Sequence, residues 1–381
     1  MPSRATKRGA ERTPFPSGAR SDVLICGASF AGLAVARELR GTGARVLVLD
    51  RYEIGERQTS ACAAPTEWLV AMGLEDAIRQ TFSSMVVHTP RVRARWPLPF
   101  TFSTFDYRTL CRLLFEQGDA EFDIAKVSGR TGDVVHTDRG DVAALLIVDA
   151  LGWRRVLGAG ENVQPPEAAL SRGLEVHPSG SGADLELWID RRYVSPGYGW
   201  SFPAADELRI GVGSFDPRIH VREPTERLAA DVEQPAARWQ GNWIPHRLRD
   251  ATEDGVFFVG DSAGHCLPLT AEGIRTALYF GVACGRELRA VVEGGSTRAE
   301  ALARYGAFSD AHRWKYEAMY ASQQSVRRLH GRPIDALVRL FARPRAASWV
   351  FRRYLRVAPP EFAAPAPAGV GAGREALAVA A

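Results

Sequence analysis

Lysine is nearly absent from this chain. Only Lys7, Lys126 and Lys315 occur among 381 residues, so arginine supplies almost all of the 48 basic groups set against 44 acidic ones. The net charge of +4 names no partner by itself. Cysteine is scarce as well: Cys26, Cys62, Cys111, Cys266 and Cys284 make no CxxC pair, which excludes a disulfide scaffold and a thiolate zinc site. The eight histidines give neither HExxH nor a Cys/His cluster, so no metal is expected. There is no Gly-x-Ser-x-Gly elbow for a hydrolase. No apolar run approaches a membrane span, and the opening MPSRATKRGAERTPFPSG lacks the apolar stretch of a signal peptide. A cytoplasmic, reducing compartment is the expectation. A chain 46% hydrophobic and 24% charged, with 36 Gly and 23 Pro, is neither fibrous nor disordered, and its length suits two tightly joined domains.

An α/β reading begins at Asp22. Val23 to Cys26 is an apolar strand, GASFAG a turn, Leu33 to Arg40 a helix and Arg45 to Asp50 a second strand, together a βαβ unit. Residues Pro65 to Thr81 read as one or two helices, and Tyr107 to Gln117 as another. Strand patterns then recur between Leu174 and Gly213, GVFFVGD forms a late strand, and Gly273 to Val292 a long helix. Helices broken at Pro333 and Pro344 close the chain. The resulting division is a disordered arm, 1–20; a Rossmann-like domain in three parts, 21–87, 106–160 and 253–300; an inserted, mostly antiparallel sheet domain, 88–105 and 161–252; a helical cap, 301–358; and a disordered tail, 359–381.

Two motifs carry chemistry. In the first, Gly27 permits the tight turn and Gly32 lets the helix approach the sheet. Ser29, Phe30 and Ala31 lie between them, where exposed N–H groups can meet a pyrophosphate. Ser29 stands where a middle glycine is usual. Asp50, followed by Arg51, lies at the distance where a carboxylate grips a ribose diol. In the second, a strand delivers Gly260 and Asp261 to its carboxyl edge, where an acid can bond a polyol. Pro268 shapes the next loop, and Gly273 and Ile274 open a helix whose N–H groups favour negative charge beyond them.

This pair of motifs, with the strand LLIVDALGWRR and Asp149 between them, resembles the FAD-binding fold of aromatic hydroxylases, flavin halogenases and geranylgeranyl reductases. The resemblance implies FAD as cofactor. It also implies that Arg108 lies along the phosphates and that Asp149 lies near the cofactor, although Asp149 lacks the superfamily's flanking glycines. The segment Tyr198-Gly-Trp200-Ser-Phe202-Pro203, followed by Gly211 and Gly213, is similar to the Tyr-x-Trp-x-Phe-Pro signature of the geranylgeranyl reductase family. GHCLPLTAEGI resembles that family's flavin loop, with Ala271 in place of a glycine. Tyr198 and Trp200 are therefore expected to wall an apolar substrate slot, Cys62 to lie near the flavin and His265 to act as a polar contact or proton relay. Packing is the alternative for each.

The activity implied is flavin-dependent reduction of carbon–carbon double bonds in an isoprenoid chain. The electron donor is NAD(P)H or a small redox protein that docks transiently, since no second glycine fingerprint is present. The competing reading is a monooxygenase that hydroxylates or epoxidises an apolar substrate with O2, and a third is a flavoprotein with structural FAD. A halogenase is disfavoured because no lysine lies between Lys7 and Lys126. Between Ala301 and Arg356 stand twelve basic and three acidic side chains, threaded with aromatics. Nucleic acid is not the expected partner. Ile334, Leu337, Val338 and Phe341 share a helix face that caps the substrate domain. A further reading rests that cap on anionic membrane through Arg339, Arg343, Arg345, Arg352 and Arg353 with Trp349, Phe351 and Tyr354.

Overall fold

The computed structural model describes residues 7–58, 60–160, 163–326 and 331–364. Two eight-stranded sheets organise the chain. In the first, Val256–Phe258, Gly140–Asp149, Arg20–Cys26, Val46–Asp50 and Glu121–Ile124 lie side by side in parallel, with a hairpin and a short strand at the edges. The central segments Val23–Cys26, Val46–Leu49, Leu146–Val148 and Val256–Phe258 are runs of apolar residues because both faces are covered there. The helix Phe30–Glu38 starts three residues before the position expected. It packs along Ile274–Val292, where a Cβ on Gly281 would come within 2.7 Å of the Ala31 carbonyl and one on Gly285 within 2.9 Å of that of Val35. Contact at these two levels makes the helices parallel and turns both amino-terminal ends toward one edge of the sheet.

The second sheet is mostly antiparallel, with one parallel pairing between Leu185–Trp188 and Met85–His88. Its back face (Trp188, Leu208, Ile210 and Val212) is covered by Arg222–Asp231 through Leu228 and Ala229. The chain enters this sheet at Ala63–Pro65 and again at Ile78–His88, upstream of residue 88, where the sheet domain is expected to begin. The one or two helices expected across Pro65 to Thr81 are correspondingly short: Thr66–Ala71 ends before Gly73, a single turn follows at Glu75–Ala77, and Ile78 onward pairs with Arg93–Phe105. The arm expected through Arg20 is placed from Lys7. It makes a turn at Gly9–Glu11, and Phe15 packs beneath the Arg139 guanidinium. Its first six residues, and the tail beyond 364, lie outside the described residues.

The C-terminal region forms the helices Arg298–Asp310, Arg313–Val326, Arg332–Phe341 and Pro344–Leu355. Pro333 and Pro344 sit in first turns, where a missing N–H costs no helical bond. Ile334 and Val338 are buried, and Trp96 of the second sheet bonds the Val338 carbonyl at 2.9 Å and meets Phe341 edge-on. The cap thus turns its apolar face inward. Among the described residues no helix is long and apolar enough to cross a membrane.

Candidate active site

The dinucleotide turn depends on two missing side chains. Gly27 has φ +115°, and a Cβ there would fall 2.2 Å from the Ala150 carbonyl oxygen. One on Gly32 would fall 2.0 Å from that of Gly27. Asp50 fixes the turn by accepting the N–H groups of Ala28 at 2.9 Å and Tyr52 at 3.0 Å, while burial pushes its carboxyl upward. Ser29 is engaged from the side: the Tyr107 hydroxyl donates to its Oγ at 3.1 Å, and Phe30 packs edge-on against Tyr107 and Phe105. Ala31 opens the helix beside Gly260, whose Cβ would touch it at 3.0 Å. Arg51 is exposed and lies over the Tyr52 ring. Arg108 is exposed at the start of Tyr107–Glu116, against the backbone of Gly55, and makes no ion pair among the described residues.

At the second motif, Asp149 and Asp261 have different tasks. Asp149 is fully buried and accepts Ser262 Oγ at 2.6 Å and the N–H groups of Leu151 at 2.9 Å and Leu157 at 2.8 Å. It clasps the end of its strand to the Gly260–Ala263 turn, so its influence on a cofactor passes through that turn. Asp261 rides on the turn, and its carboxylate accepts no hydrogen bond among the described residues. Burial pushes its pKa up to about 6, against the pull of Arg249. An acid left without donors beside a helix start, a glycine turn between strand and helix and an arginine without an ion pair among the described residues together fit FAD: Asp261 for the ribityl hydroxyls, the 27–32 turn and Arg108 for the pyrophosphate, and Asp50 for the ribose.

The loop to the long helix is braced from the C-terminus. The Pro268 carbonyl accepts Gln323 Nε2 at 2.6 Å. Arg275, fully buried, pairs with Glu272 at 2.8 Å and donates to the carbonyls of Leu355 at 3.0 Å and Ala358 at 3.1 Å. The Tyr354 hydroxyl bonds Glu272 and also Thr270. Ala271 adopts φ +52°, a left-handed conformation that suits the family's glycine. Gly273 caps the helix, with Asp261 Oδ1 3.6 Å from where its Cβ would stand, and Ile274 is its first residue. His265 does not face this region. It stacks on Phe280 at 3.7 Å, bonds Ser309 Oγ at 3.1 Å and is kept neutral by burial and by His312, so a relay role there is replaced by packing. A histidine flanked by glycine in sequence could not disclose which way its ring turns.

Tyr198, Trp200 and Phe202 project from one half-open face of Gly197–Ala204, while the residues between them are buried on the other. Tyr198 and Trp200 have ring centroids 6.0 Å apart, and the Tyr198 hydroxyl donates to the Thr270 carbonyl at 2.5 Å. The aromatic strand is thereby fastened to the loop that follows Asp261. Cys62 is fully buried at φ +52°, and burial pushes its thiol well above the ordinary range. Arg209, missed in the sequence reading, lies behind it and donates to the carbonyls of Ala61 at 2.9 Å, Cys62 at 3.1 Å and Phe105 at 3.0 Å. A lone arginine inside the apolar strand ELRIGVG was the available signal. Among the described residues no cluster of His, Cys, Asp and Glu could hold a metal.

No family model matches the chain. It is 24% identical over 365 residues to a digeranylgeranylglycerophospholipid reductase of Methanosphaera stadtmanae, covering 85% of this chain and 92% of the relative. It is 30% identical over 309 residues to a menaquinone reductase of Mycolicibacterium smegmatis, covering 69% and 75%. Among solved structures, a geranylgeranyl bacteriochlorophyll reductase-like protein from Thermoplasma acidophilum superposes with a TM-score of 0.77 at 16% identity, covering 90% of this chain and 98% of that one, a likeness of fold.

Proposed function

The chain belongs to the geranylgeranyl reductase family of FAD-dependent oxidoreductases, and from that premise we propose that it reduces carbon–carbon double bonds in the isoprenoid chain of a lipid-soluble substrate. The observation that carries this reading is the fastening of Tyr198 to Thr270, which sets an aromatic, apolar wall against the loop after Asp261. Both relatives described above are named for lipids, which supports a lipid-soluble substrate. Bound FAD, once reduced, supplies hydride equivalents. The protein's part is to hold an alkene on the Tyr198–Trp200 wall, to keep water away from it, and to keep that wall and the cofactor loop in register. The Cys62 thiol retains its proton and enters this reading as a neutral group behind the slot. The donor of electrons is a nicotinamide or a small redox protein that docks transiently.

The cap brings the slot to a lipid surface in this proposal. Trp349 is 59% exposed with Arg353 stacked over it at 4.2 Å, and Leu340, Arg339, Arg343, Arg345 and Arg352 are exposed as well. Phe351 and Tyr354, read in the sequence as headgroup aromatics, instead turn inward, to Phe100 and to Glu272.

The deciding experiment reduces the FAD-loaded protein under anaerobic conditions and mixes it with a polyprenyl lipid. Reoxidation coupled to a gain of two hydrogens per double bond is the expected result. Turnover only with O2, and product gaining an oxygen atom, overturns the reading in favour of a monooxygenase.

A further inference from the structure

Trp200 is gripped from behind. A Cβ on Gly211 would come within 2.2 Å of its ring and one on Gly213 within 3.3 Å, so these glycines form a flat floor for the indole. At its edge, Nε1 donates to Glu175 Oε2 at 3.2 Å. The other Glu175 oxygen meets His177 Nε2 at 2.8 Å, and His177 Nδ1 meets Glu207 at 3.2 Å. Glu207 in turn pairs with Arg209 at 3.2 Å and Arg238 at 3.3 Å, and Gln240 reaches His177 from the neighbouring strand. Register explains the assembly. Trp200 lies opposite Gly211 and Gly211 opposite Glu175, while Phe202 lies opposite Arg209, so the string shares the face that carries the aromatic wall.

Glu175 is 3% exposed and His177 2%. Burial alone would drive His177 toward its neutral form, but the two carboxylates outweigh it and raise its pKa. Burial likewise opposes ionisation of Glu207, yet His177 and Arg209 bring it down to about 2. The string therefore alternates in sign from Glu175 to Arg209. An apolar pair in its place would stitch the strands together at less desolvation cost. What the ionised string adds is a charged acceptor for an indole N–H, which is stronger and more directional than a neutral one.

We propose that Glu175 is a positioning residue of the substrate wall, holding the Trp200 indole plane against its glycine floor from the far end of a string that also anchors the Cys62 loop. This rests on the reading above that the Trp200 face receives the isoprenoid chain. The string thus ties the Trp200 wall to the Cys62 loop, and the set of the wall that meets the alkene depends on Glu175.

The test uses the FAD-loaded full chain with Glu175→Ala, Glu175→Gln and Trp200→Phe. In 15N spectra of indole-labelled protein, the Trp200 N–H resonance is identified by its loss in Trp200→Phe. It should shift and exchange faster with solvent in Glu175→Ala but stay near its place in Glu175→Gln. With geranylgeraniol in mixed micelles, Glu175→Ala should raise KM about tenfold with kcat changed less than about threefold, and Glu175→Gln should recover most of that loss. Adding Glu175→Ala to Trp200→Phe should cost nothing further, since the two act through one bond. An unmoved indole resonance, or full additivity of the two changes, overturns the proposal. If Glu175→Ala does not fold, the cycle is run with Glu175→Leu, which fills the space without an acceptor for the indole N–H, and full additivity with Trp200→Phe again overturns the proposal. A wild-type protein that reduces no isoprenoid lipid refutes the function reading alone, because the indole resonance still reports on Glu175.

Discussion

The Tyr107 hydroxyl holds Ser29 Oγ at 3.1 Å, which turns the fingerprint's only polar side chain toward a neighbouring helix. A freed hydroxyl at that position would crowd the pyrophosphate. Tyr107→Phe is therefore expected to weaken FAD binding by about threefold to tenfold, the scale of one hydrogen bond. Ser29→Gly added to it should restore affinity, as flavin fluorescence titration would read. Failure of the glycine to rescue would assign Tyr107 a packing role.

Asp261 should make FAD binding sensitive to acid. Its carboxylate has a pKa of about 6 without donors, and hydroxyls bonding to it favour the ionised form. Affinity should hold above that pH and fall as pH drops through it. Asp261→Asn should bind more weakly at neutral pH and flatten the profile; a wild-type profile that is already flat would mean that the polyol lies elsewhere.

Ala271 holds a left-handed backbone that a glycine adopts freely. Ala271→Gly should stabilise the protein by about 0.5–1 kcal/mol, the left-handed strain removed less the glycine's chain entropy. Ala271→Val should destabilise it. Urea unfolding of the three proteins orders them.

Acid should also strike the helical layer. His312 donates from Nδ1 to the Phe308 carbonyl at 2.9 Å and accepts the Tyr279 hydroxyl at 3.3 Å, and burial lowers its pKa to about 4. An unfolded chain binds the proton near pH 6.5, so stability is full above that value and is lost as pH falls toward 4. The loss is on the order of 3 kcal/mol from this residue. His312→Gln should reduce the slope of unfolding free energy against pH in that interval.

The exposed rim of the cap should bind anionic vesicles at low salt and release them at high salt, since screening shortens the reach of surface charge. Arg352→Ala with Arg353→Ala should weaken sedimentation with anionic vesicles by roughly 1 kcal/mol per arginine. Equal absence of binding to neutral and anionic vesicles at low salt would leave the helices as a cap alone.

Features legible in the sequence were those written in neighbouring residues. Gly27 to Gly32, the Gly260–Asp261 turn and the alternation of Tyr198, Trp200 and Phe202 each depend on a few consecutive positions, and each falls at the strand end or face anticipated. What escaped depends on distant partners. The strand at Ile78 exists because Arg93–Phe105 pairs with it, and a local reading extends the preceding helix across it. Glu175, His177, Glu207 and Arg209 come from two strands some thirty residues apart, and none of them alone signals a network. His265 lies beside the expected loop in sequence, yet its ring enters the helical layer, a direction set by Phe280 and Ser309.

The clasp on the cofactor loop has a consequence for truncated chains. Every motif residue up to Ile274 is made well before the groups that brace it, since Glu272 and Arg275 find their partners at Tyr354, Leu355 and Ala358, and Trp68 also bonds the Ala358 carbonyl. A chain that ends short of Tyr354 carries the whole fingerprint, and its loop keeps the bonds to Gln323 and Tyr198 but lacks the ties to Tyr354, Leu355 and Ala358. A chain truncated before Tyr354 is therefore expected to keep the fingerprint yet hold FAD more weakly, because Pro344–Leu355 and the residues just after it supply ties to the loop that nothing upstream replaces.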